Sequence, residues 1–86
     1  MIKKYIKKPV IIEAVQWTDD NISEIKDFCG GSLTFKGNNP SCIYINTFEG
    51  RYLCSPYDYI IKDNELGTFY PCEPDIFEQT YKLVDY

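Results

Sequence analysis

Histidine is absent from the 86 residues, methionine and tryptophan occur once each, and no apolar run approaches the length of a membrane span. Without an imidazole there is no Ser–His or Cys–His nucleophile pair, no His-ligated metal and no imidazole acid–base step. A membrane helix needs ~20 consecutive apolar residues, so none is expected. The opening Met1-Ile2-Lys3-Lys4-Tyr5 has charge but no apolar stretch behind it, so no signal peptide is expected. Cys-x-x-Cys is also missing: Cys29, Cys42, Cys54 and Cys72 lie 12 to 18 positions apart, which is not the spacing of a zinc ribbon or knuckle. Their even number would allow two disulfides in a secreted chain. In a cytosolic chain, the expectation here, the thiols stay reduced. Each cysteine has apolar neighbours and reads as a small hydrophobe of the core. No metal and no cofactor are expected.

What is present is aromatic and acidic. Eight Tyr, five Phe and one Trp supply the large side chains that a short chain needs, since a domain of this size buries only roughly 60–65% of its unfolded surface. The net charge is −4, which argues against general binding to nucleic acid or anionic membrane. The charge is uneven. Lys3, Lys4, Lys7 and Lys8 precede five cations and thirteen anions in the rest of the chain. This basic start reads as a solvated segment that keeps an edge strand soluble, as a small anion-binding lip or, on a weak signal for phosphate binding, as a nucleic-acid arm.

Along the chain, residues 8–17 read as a strand with two apolar faces, which predicts a central strand. Its expected partner is a last strand over 81–86, where side chains again alternate. Thr18-Asp19-Asp20-Asn21 opens a helix at about 20–29, with Asp20 as the cap. Ile22, Ile25, Phe28 and Cys29 lie on one face of it, and Gly30-Gly31 stops it. Strands follow at 32–36, 42–48 and 51–55. The last two are expected to form a hairpin around Glu49-Gly50, with Phe48 opposite Arg51, Asn46 opposite Leu53 and Ile45 opposite Cys54. Residues 58–62 and 68–70 read as two more strands, the second broken by Pro71. Residues 75–78 read as one helical turn capped by Asp75, after which Ile76 and Phe77 enter the core. The sum is a single α+β domain over residues 1–86. Its mostly antiparallel sheet has five to seven strands, curled into a partial barrel in one version, with one helix packed on it.

Three blocks of this chain resemble a known family: Lys-Lys-Tyr-Ile-Lys-Lys-Pro-Val-Ile-Ile-Glu-Ala-Val-Gln-Trp-Thr (3–18), Asp-Tyr-Ile-Ile-Lys (58–62) and Phe-Tyr-Pro-Cys-Glu-Pro-Asp-Ile-Phe-Glu-Gln-Thr-Tyr (69–81). The family consists of small proteins encoded by tailed phages and prophages of many bacteria. The resemblance departs at two turns, where the family has glycine and this chain has Tyr57 and Asp63. It implies a setting, the cytoplasm of an infected or lysogenic host, and carries no chemistry to transfer.

Catalysis has little to draw on. Asp19 and Asp20 are explained by capping, and Glu73 and Asp75 flank a proline and would be solvated, so the chain is expected not to be an enzyme. Pro71 and Pro74 brace the segment between them, which is either a structural corner or a surface presenting Tyr70, Glu73 and Asp75 to a partner. Lys7 and Lys8 could join that surface. Trp17 reads as a core plug, with an interface anchor as the alternative. The favoured expectation is a non-catalytic protein that binds a host protein and inhibits a bacterial immune system. The alternatives are a homo-oligomer that sequesters a small anionic, nucleotide-like signal, and a structural or accessory part of the virion. The oligomeric state is left open by the sequence.

Overall fold

The computed structural model describes residues 1–5, 11–37, 39–64 and 66–84. Its elements run β1 (Glu13–Gln16), α1 (Ile22–Cys29), a 3-10 turn (Gly30–Ser32), β2 (Leu33–Lys36), β3 (Asn39–Thr47), β4 (Gly50–Cys54), β5 (Tyr59–Asp63), β6 (Thr68–Cys72) and α2 (Pro74–Thr80). The strands form two antiparallel sheets of three, in the orders β1-β5-β6 and β2-β3-β4. The class is α+β as expected. The single sheet of five to seven strands is not observed, and neither is a closed barrel.

The central strand of the first sheet is β5, not β1. Ile60 and Ile61 are neighbours on β5, point to opposite faces and are both buried, so this strand is covered on both sides. β1 is an edge, with Glu13 and Ala14 exposed. It pairs with β5 through Glu13↔Lys62 to Gln16↔Tyr59, not with the chain end. Residues 81–84 form no strand. Tyr81 turns instead onto Phe77, with ring centroids 5.0 Å apart.

One core joins the two sheets and α1. Val15, Ile60 and Phe69 from the first sheet meet Leu33, Ile43, Ile45 and Cys54 from the second. α1 contributes Ile25 and Cys29, both buried, with Ile22 and Phe28 packed beside them. Phe28 meets Phe69 edge-on at 5.3 Å. Trp17 is 1% exposed and fills the centre. Its Nε1–H donates to the Ser41 carbonyl at 3.3 Å, and its backbone N–H donates to the Asp58 carbonyl at 2.9 Å. The core-plug reading of Trp17 therefore holds.

Three local expectations shift. The residue before the first helical turn is Asn21, not Asp20. Asn21 Oδ1 accepts the Thr18 N–H, and its Nδ2 donates to the Gln16 carbonyl and to Glu24, while Asp20 accepts the Thr18 hydroxyl. The β3–β4 loop is Phe48-Glu49, so Asn46 faces Arg51, Tyr44 faces Leu53 and Ile43 faces Cys54. Gly50 supplies the left-handed conformation (φ +135°) on leaving the loop. Thr47 Oγ1 braces the turn by accepting the Glu49 N–H at 3.1 Å and donating to the Gly50 carbonyl at 2.9 Å. The slip is by two residues, so every side chain keeps its expected face. The second helix is longer than one turn, and Glu73 rather than Asp75 precedes it.

Tyr57 holds a left-handed conformation, φ +74°, in a turn with Pro56 before it and the Asp58 N–H donating to the Ser55 carbonyl at 3.0 Å. Proline followed by a positive φ is the type II arrangement, which favours glycine at the third position. The resemblance has glycine here. A non-glycine residue in this region costs about 1–2 kcal/mol, partly offset because glycine loses more freedom on folding. Tyr57→Gly is therefore expected to raise Tm by roughly 2–4 °C. A calorimetric scan showing a lower Tm would contradict this account of the turn.

Candidate functional site

The two faces of the first sheet are finished differently. Val15, Ile60 and Phe69 point into the core. Tyr59, Ile61, Tyr70 and Cys72 share the opposite face by register, and α2 lies over it. Phe77 stacks on Tyr59 at 3.8 Å with an interplanar angle of 7°. Ile61, beside Tyr59 on the strand and paired with Tyr70, is buried beneath this aromatic cover. The expectation that Ile76 and Phe77 enter the main core is corrected: Ile76 is exposed, and Phe77 builds a second, smaller apolar layer.

The segment from β6 to α2 follows from its two prolines. Pro71 lies inside β6, opposite Ile60, and does not break the strand. β6 is an edge strand, where proline is tolerated. Pro74 drives Glu73 to an extended conformation, φ −61° and ψ 145°, as a residue before proline requires. It then starts α2 at a position where its missing N–H costs nothing. The Phe77 N–H donates to the Glu73 carbonyl at 2.9 Å, and the Cys72 thiol donates to the same carbonyl at 3.6 Å. Glu73 and Asp75 are exposed on this braced corner.

Tyr70 has a different standing. Its phenol is pushed up to about 12, first by burial, then by a hydrogen bond with the Tyr81 side chain and the negative fields of Tyr81, Asp63 and Cys72. By register its side chain lies on the α2 side of the sheet. The residue also borders a groove of about 370 Å³ between the β3–β4 hairpin tip and the β5–β6 hairpin. Phe48, Glu49, Tyr52, Leu66 and Phe69 line the same groove, whereas Glu73 and Asp75 do not. The proposed triplet therefore spans two adjoining features. Lys7 and Lys8 lie outside the described residues.

Sequence reading missed the groove because its walls come from two separate turns. A signal was available at each. Phe48 occupies a two-residue hairpin loop and is 82% exposed, and Leu66 sits in the Asp63–Gly67 turn and is 65% exposed. Large apolar residues in turns are not explained by the turn chemistry.

None of the four cysteines is in a disulfide. Cys29 and Cys54 are buried, whereas Cys42 and Cys72 are half-buried, so only two of the four fit the buried-hydrophobe reading fully. Burial pushes Cys29 up to about 11. Cys54 is pushed up to about 12, by burial first and then by the fields of Asp58 and Cys29. A raised thiol pKa stabilises the fold fully below the unfolded value of 9.0. That contribution is lost as pH rises through the folded values. Tm is therefore expected to fall between pH 9 and 12, with Tyr70 acting in the same direction. At pH 8, alkylation of the native protein is expected to reach Cys42 and Cys72 before Cys29 and Cys54. Labelling of Cys54 at the rate of Cys72 would contradict the packing described.

Among the described residues no three Cys, Asp or Glu side chains converge as a metal site, and no helix is long and apolar enough to cross a membrane. Compared with known proteins, the chain matches no family model, no curated sequence and no solved structure.

Proposed function

We propose that this chain is a phage- or prophage-encoded, non-catalytic binding protein that acts in the bacterial cytoplasm by covering a surface of a host protein, with a component of an immune system as the target. The observation that carries the reading is the exposure of Glu73 and Asp75 on a corner braced by Pro71 and Pro74. A preorganised corner loses little freedom on binding. Carboxylates presented on it can occupy a site that otherwise holds phosphates, and they steer association with a basic surface. The overall charge of −4 favours the same class of partner.

The test is expression of the chain in bacteria that carry a defined immune system active against a tailed phage. Plaque formation is expected to be restored. A Glu73→Lys/Asp75→Lys chain that accumulates to the same level is expected not to restore it. Failure of the unaltered chain across a panel of immune systems would overturn the reading. A purified oligomer carrying a ligand that absorbs at 260 nm would favour the sequestering alternative.

A further inference from the structure

We infer that the groove between the β3–β4 hairpin tip and β6 receives the guanidinium of an arginine carried by a segment of the partner protein. This rests on the reading of the chain as a protein-binding module and names the chemistry of one contact.

The walls are aromatic. Phe48, Tyr52 and Phe69 are aromatic lining residues, Tyr70 borders the groove between Phe69 and Pro71, Leu66 and Pro71 are apolar, and Glu49 is the one charged lining residue among the described residues. Cations are drawn to ring faces, and a planar guanidinium also stacks on them while pairing with a carboxylate. The Glu49 carboxylate is present and only partly used. Its Oε2 accepts the Tyr52 hydroxyl at 3.2 Å, which leaves other lone pairs for the two donors of a guanidinium edge. That hydrogen bond and the charge of Glu49 push the Tyr52 phenol above its ordinary range, so the field at this rim is negative. A volume of about 370 Å³ is at the lower end of ligand pockets and suits one long side chain better than a folded element.

The chain's own neighbouring cation does not fill the groove. Arg51, two residues from Glu49, lies over the Tyr44 ring at 4.7 Å. Tyr44 alternates with Ile43 and Ile45 along β3 and so faces away from the core side. Lys62 pairs with Phe69 across the sheet, yet it does not line the groove. An anion would meet Glu49 at the rim, and a purely apolar segment would partly desolvate that carboxylate with only the Tyr52 hydroxyl to satisfy it. Arginine satisfies both the rings and the carboxylate.

The test is a heteronuclear NMR titration of the full chain with acetyl-Gly-Arg-Gly-Arg-Gly-amide. The control peptide carries citrulline at both arginine positions, which keeps the shape and removes the charge. Amide shifts are expected at Thr47–Tyr52 and Leu66–Tyr70, with affinity about tenfold lower for the citrulline peptide. Glu49→Gln and Phe48→Ala are each expected to weaken the arginine peptide by about the same factor. Both positions are exposed, so unchanged spectra elsewhere will show that the variants fold. Glu73→Lys/Asp75→Lys is expected to leave this titration unchanged, which separates it from the plaque assay. Equal binding of the citrulline peptide, indifference to Glu49→Gln, or shifts confined to residues outside the groove would overturn the inference. So would shifts that depend on protein concentration without peptide, because the occupant would then be a second copy of the chain.

Discussion

Trp17→Ala is expected to remove about 3–5 kcal/mol of stability, the range for truncating a large buried aromatic. A domain of this size holds only roughly 0.05–0.15 kcal/mol per residue, so the loss is a large fraction of the total stability. The reason is position as well as area. Trp17 packs with Ile25 and Cys29 of α1, Ile43 and Ile45 of β3, Cys54 of β4 and Ile60 of β5. Its backbone also carries the link from β1 to the turn before β5: its N–H donates to Asp58, and its carbonyl accepts the Tyr57 N–H. Alanine keeps those backbone bonds but leaves a void where both sheets and the helix meet. Far-UV circular dichroism through a thermal ramp will report the loss. A cooperative transition within a few degrees of the parent would mean that Trp17 is peripheral.

Phe77→Ala is expected to cost about 2–3 kcal/mol, less than a fully buried phenylalanine because the ring is half-covered. That corresponds to a fall in Tm of roughly 10–20 °C. Phe77 stacks on Tyr59 and touches Tyr81, so its loss uncovers Ile61 on the outer face of the first sheet. The phenol of Tyr70 should respond too. With Tyr81 released, its pKa should move down from about 12 towards the ordinary 10.0, visible in an ultraviolet pH titration. A variant with parental Tm and an unchanged titration would show that α2 does not cover the sheet in solution.

Local order was legible in the residues wherever a short-range pattern specified it. The spacing of Ile22, Ile25, Phe28 and Cys29 identified α1 and its buried face, and Gly30, at φ +55°, ends it. The β3–β4 hairpin was found from its alternation, and its register missed by two because the glycine that permits the turn follows the loop instead of forming it. Long-range order was less legible. Residues 8–17 read as apolar on two faces and so as the central strand, while 58–62 read only as one more strand, because nothing local says which of the two is flanked on both sides. The structure gives that place to β5, flanked by β1 and β6. The alternation after Tyr81 suggests a strand, but the Tyr81 ring lies against Phe77, its N–H donates to the Phe77 carbonyl, and residues 81–84 form no strand. The braced corner was legible because proline acts on its immediate neighbours. The groove was not, because Phe48 and Leu66 come together only when the two hairpins pack.

The most direct test of a partner-binding surface at the β6–α2 corner is affinity capture from bacterial lysate, run beside a melting curve on the same samples. The parent chain and Glu73→Lys/Asp75→Lys are compared at equal loading. Both substituted residues are exposed, so Tm should shift little, within the ±0.5 kcal/mol typical of surface changes. The captured host protein should fall away with the variant. Loss of Tm in step with loss of capture would make the corner a structural element, and undiminished capture at an unchanged Tm would contradict the account.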